Sequence, residues 1–119
     1  MSLDAVQANI SLNHLEIESR DPKRLAKFYS NVMDMKINML TNKKFLCEGP
    51  GRKIIIKTGE NNTLGYAGMV CKNEENLERY KEFLKINKCE INDFVSEFYQ
   101  SGSFSLQDPD YNMICFGVQ

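Results

Sequence analysis

The chain has no tryptophan, a single histidine and only three prolines among its 119 residues. One histidine, His14, excludes sites built from two or three imidazoles of the same chain. A serine-type triad would need His14 beside an activated hydroxyl, and no G-x-S-x-G elbow is present. Phosphate-binding loops are missing too: Gly49-Pro50-Gly51-Arg52 lacks the P-loop spacing and reads as a turn between strands. No C-x-x-C pair occurs among the cysteines at 47, 71, 89 and 115, which removes zinc ribbons and thioredoxin-like motifs. The longest apolar runs, such as Ile54–Ile56 and Tyr66–Cys71, are too short to cross a bilayer. A concentrated basic face is absent as well. The 15 basic and 16 acidic residues are scattered, so neither a nucleic-acid partner nor a membrane is expected.

What is present is an ordinary globular composition, 42% hydrophobic and 26% charged, long enough for a single domain with its own core. The polar start MSLDAVQANIS shows no secretory pattern. Three of the cysteines lie in apolar, strand-like stretches, where a thiol behaves as a small buried hydrophobe. Reduced thiols and a cytoplasmic location are the expectation.

The chain is written twice. LNHLEIESRDPKRLAKFYSNVMDMKI (12–37) aligns with LGYAGMVCKNEENLERYKEFLKINKC (64–89) at a constant offset of 52. Each copy opens with a strand and continues into an amphipathic helix. Asp21 followed by Pro22 marks the start of the first helix, and Leu25, Phe28, Tyr29 and Val32 predict its buried stripe. Asn73 followed by Glu74 and Glu75 marks the second, with Leu77, Tyr80 and Leu84 as the stripe. Three strands are predicted after each helix: Lys36–Thr41, Lys44–Glu48 and Arg52–Thr58, then Glu90–Phe94, Phe104–Gln107 and Asn112–Val118. The order is βαβββ, twice: an α+β single domain over 1–119, with module one about 10–59 and module two about 62–119.

These repeats, with the closing hairpin FSLQDPDYNMICFG, resemble the vicinal oxygen chelate superfamily of glyoxalase I, bleomycin-resistance proteins and extradiol dioxygenases. Tyr111 stands at the hairpin's usual glycine. The resemblance implies paired βαβββ modules forming one cupped, barrel-like antiparallel or mixed sheet with helices outside. In the metal enzymes of the family it also implies a divalent ion held by the opening and closing strands of each module. Carried over position by position, those places fall on His14, near Ile56, near Tyr66, and on Cys115. Only His14 matches. Glu16 shares its strand face at i+2.

The expected site is therefore a ligand pocket lined by His14, Glu16, Ile56, Tyr66 and Cys115, with no cofactor and no confidently catalytic residue. The reading of function is a small-molecule-binding member of the superfamily, independent of metal because its metal site is degenerate. The alternative is a divergent metal-dependent lyase or extradiol-type dioxygenase, with His14 or Glu16 as base, or Cys115 as nucleophile. A noncatalytic subunit of a larger enzyme is a third reading. The resemblance further implies a homodimer.

Overall fold

The computed structural model describes residues 1–119, two helices and eight strands in the order βαβββ-βαβββ. The elements are β1 (Ser11–Ser19), α1 (Pro22–Met33), β2 (Lys36–Thr41), β3 (Lys44–Gly49), β4 (Arg52–Thr58), β5 (Thr63–Val70), α2 (Glu74–Ile86), β6 (Asn92–Asp93), β7 (Phe104–Gln107) and β8 (Met113–Gly117). The strands hydrogen-bond in the order β2-β3-β4-β1-β5-β8-β7-β6, and the sheet is not closed into a barrel. The chain forms two compact units, Asn13–Ala67 and Met1–Leu12 with Gly68–Gln119.

In the first unit, α1 starts where the sequence predicts. Asp21 accepts a hydrogen bond from the Arg24 amide at 3.1 Å, and Pro22 occupies the first turn, where a missing N–H costs nothing. The helix ends at Asp34, whose left-handed backbone turns the chain into β2. Its core is Ala26, Met35, Phe45, Cys47 and Ile56, with Ile17, Leu25, Tyr29, Ile37 and Ile54 packed around them. The predicted stripe on α1 needs correction. Pro22 and Ala26 are buried and Leu25 and Tyr29 half-buried, but Phe28 and Val32 are exposed.

In the second unit the stripe holds: Leu77, Tyr80 and Leu84 are buried with Phe104, Phe116 and Val118. The reason for the difference is local. Residues before β1 fold onto α2: the Leu3 amide donates to the Arg79 carbonyl at 3.1 Å, and Ala8 is fully buried in that core. Leu3, Ala5 and Ile10 pack beside it. The link before β5 is a few polar residues, and it provides no such cover for α1.

β7 spans Phe104–Gln107 as expected, but β6 and β8 are shorter than expected. The predicted strand Glu90–Phe94 contracts to Asn92–Asp93, and 94–103 is loop. Tyr99 anchors that loop by donating its hydroxyl to the Met69 carbonyl at 2.8 Å. Gly117 admits the Tyr99 ring, since a Cβ there would lie 2.4 Å from it.

Candidate functional site

β1 alternates, so His14 and Glu16 point to one face and Leu15 and Ile17 to the other. Both His14 and Glu16 are buried. β4 runs parallel to β1 in the register Glu16 opposite Ile55 and Ile17 opposite Ile56. Paired residues share a face, so Ile55, Lys53 and Lys57 accompany His14 and Glu16. Ile56 does not. It packs on the helix side with Ala26, Phe45 and Cys47, and the expectation that it lines the pocket is replaced by Ile55. A one-residue difference in register moves a side chain to the opposite face, and no sequence motif fixes that register here.

Two of the expected site residues meet directly. His14 Nε2 lies 2.9 Å from the Tyr66 hydroxyl, with the rings edge-on at 86° and centroids 5.3 Å apart. Their numbers differ by 52, the offset of the internal repeat, so these are equivalent positions of the two opening strands. The other ring nitrogen, Nδ1, lies 2.8 Å from the Asn13 side-chain oxygen. An amide oxygen only accepts, so Nδ1 carries the hydrogen and Nε2 accepts from Tyr66. Burial, and then the Lys53 charge, press the His14 pKa down to about 4. The ring is neutral at pH 7.

Glu16 forms an ion pair with Lys57 at 3.5 Å. Gly65 on β5 makes room for the carboxylate, since a Cβ there would meet Glu16 Oε2 at 3.0 Å. Asn13, Lys53, Ile55 and Lys57 thus belong to the site and were not singled out from the sequence. Asn13 was available as the neighbour of His14; the others depend on the β1–β4 register.

Cys115 lies in the other unit, fully buried on β8 opposite Ser105. Phe104 pairs with Phe116 on the α2 side, so Cys115 and Met113 face away from that core, as the alternation predicts. A buried thiol of this kind is a filler, inert towards solvent reagents.

The donors do not fit a divalent ion. His14 has both nitrogens engaged by protein groups, Glu16 is paired with Lys57, and Ile56 faces the helix. No group of three or more His, Cys, Asp and Glu side chains is placed to hold a metal. As a base, a histidine with a pKa near 4 supplies little driving force for proton abstraction at neutral pH.

The model of the Glyoxalase/Bleomycin resistance protein/Dioxygenase superfamily matches residues 11–116. The chain belongs to this superfamily. Among solved structures it is similar to a catechol 2,3-dioxygenase, with a TM-score of 0.78 and 16% identity over 90% of this chain and 38% of that one. Similarity extends to the homoprotocatechuate 2,3-dioxygenase of Arthrobacter globiformis, with a TM-score of 0.72 and 14% identity over 91% of this chain and 35% of that one. A variant of the Brevibacterium fuscum homoprotocatechuate 2,3-dioxygenase gives a TM-score of 0.72 and 12% identity over 91% and 32% of the two chains. This superfamily member thus spans about a third of the length of those dioxygenases. At such identities the likeness is one of fold. No curated protein resembles the chain closely enough in sequence to count as a match. Neither helix is long and apolar enough to cross a membrane.

Proposed function

We propose that this superfamily member binds a small organic molecule without a metal ion, on the face of β1, β4 and β5 that carries His14, Glu16 and Tyr66. The observation that supports the reading is the engagement of both His14 nitrogens by Asn13 and Tyr66. That arrangement uses the one retained family ligand position as a hydrogen-bonding element. Ile55 and the Tyr66 ring are the apolar groups of this buried face and Glu16, Lys53 and Lys57 its charged ones, the mixture that small-molecule sites use to hold and orient a ligand. A cytoplasmic location belongs to the same reading.

The test is elemental analysis and native mass spectrometry of protein purified without chelators. The expected result is far less than one equivalent of Zn, Ni, Mn or Fe, with an organic molecule retained by the wild type and lost from Glu16→Gln. About one metal ion per chain, removed by His14→Ala, would overturn the proposal and favour a divergent metal-dependent lyase or extradiol-type dioxygenase. Similarity in fold to two 2,3-dioxygenases is what keeps that second reading in view.

A further inference from the structure

A groove of about 450 Å3 opens beside the start of α1, within the first unit. Ser19, Arg24, Leu25, Phe28 and Asn61 are among its walls. Ser19 follows Leu15 and Ile17 in the alternation of β1, so the groove lies on the helix side of the sheet, opposite the face of His14 and Glu16. Its volume is within the range of about 300–1,000 Å3 usual for small-molecule sites.

The lining is rich in donors and poor in acceptors. Ser19 is 7% exposed, and its Oγ accepts from the Asp21 amide at 3.1 Å while its own hydrogen meets no protein acceptor. A buried hydroxyl that lacks an acceptor calls for one from a ligand. The Asn61 side-chain oxygen accepts from the Arg20 amide at 2.9 Å, which leaves its NH2 group as a donor. Arg20 is spent on Glu60, 2.6 Å away, but Arg24 makes no ion pair. Asp21, the one carboxylate in the lining, caps the helix by accepting from the Arg24 amide, and Lys23 and Lys27 outweigh its charge. One turn beyond Arg24, Phe28 is 52% exposed, although its repeat counterpart Tyr80 is buried. With half-buried Leu25 it gives the groove an apolar side.

We infer that this groove is a separate binding site for a small aromatic carboxylate. The acid group lies among the Arg24, Ser19 and Asn61 donors, where a guanidinium can hold both of its oxygens. The ring of the ligand packs on Phe28 and Leu25.

Amide NMR titration of the full-length chain with 2-naphthoate tests this, with 2-naphthamide and inorganic phosphate as comparisons. Saturable shifts are expected at Ser19, Arg24, Phe28 and Asn61. The amide lacks the charge and phosphate lacks the ring, so both should bind at least several-fold more weakly. Arg24→Gln should weaken naphthoate binding about tenfold, the loss expected of one charge-assisted contact. Phe28→Ala should weaken naphthoate but leave phosphate unchanged. Both side chains are exposed, so the melting temperatures of the variants should stay near that of the wild type. Absence of saturable binding overturns the inference, as do shifts centred on His14 and Tyr66. Equal binding of 2-naphthamide, or naphthoate binding untouched by Arg24→Gln, also overturns it.

Discussion

Folded His14 takes up its proton only near pH 4, whereas the imidazole of an unfolded chain titrates near its ordinary value of 6.5. Between these values the unfolded chain binds more protons than the folded one. Stability therefore rises with pH from about 4 to 6.5 and is lost as pH falls through that window. The displacement corresponds to about 3 kcal/mol at full extent. Urea unfolding midpoints measured from pH 4 to 7 should show a steeper fall for the wild type than for His14→Gln; parallel curves would refute a buried neutral imidazole. Tyr66→Phe should cost about 1–3 kcal/mol in the same assay at pH 7, because Nε2 loses its donor inside the protein. Ile56 tests the register: as a filled-core side chain, Ile56→Ala should cost about 2–5 kcal/mol. A loss below 1 kcal/mol would return it to a cavity wall.

At the scale of elements, the capping residues behaved as their chemistry dictates. Asp21 and Asn73 each accept an amide hydrogen bond from the third residue of their helices, at 3.1 and 2.8 Å. Asp21→Ala should lower stability by about 1 kcal/mol, read from chemical denaturation. The hairpin between β7 and β8 is fastened by Asp108, whose carboxylate accepts from the Asn112 side chain at 3.0 Å and from the Asn112 and Asp110 amides, each at 2.9 Å. These bonds, led by that from the Asn112 side chain, hold the Asp108 carboxyl below the usual carboxylate range. Tyr111 in that turn has a φ of 66° and is 80% exposed, so its side chain contributes little packing while its backbone is strained. Tyr111→Gly should leave stability unchanged or raise it by up to about 1 kcal/mol, the strain relief being partly offset by the freer unfolded chain. A clear loss of stability would show that the tyrosine ring has a partner.

For the whole molecule, the first residues are part of the core. Ala8 is fully buried, and Leu3, Ala5 and Ile10 pack against the cluster under α2. Deleting residues 1–9 should expose Tyr80 and Leu84 and cost about 2–5 kcal/mol, measured by thermal and chemical unfolding. An unchanged midpoint would mean that this segment is not needed to complete the α2 core.

Local interactions are what the sequence determined by itself. The repeat at an offset of 52, both helix starts, the α2 stripe and five of the six predicted later strands to within a residue follow from side-chain period, capping and turn chemistry, which act over a few neighbours. The equivalence of His14 and Tyr66 was also legible, because the repeat itself encodes it. The contact between them was not, and neither was the face occupied by Ile56. Those depend on which strands lie side by side and in what register, and residues far apart in the chain set both. The same holds for Phe28 and Val32: an apolar stripe predicts a face that can be buried, but only the tertiary structure decides whether another segment arrives to cover it.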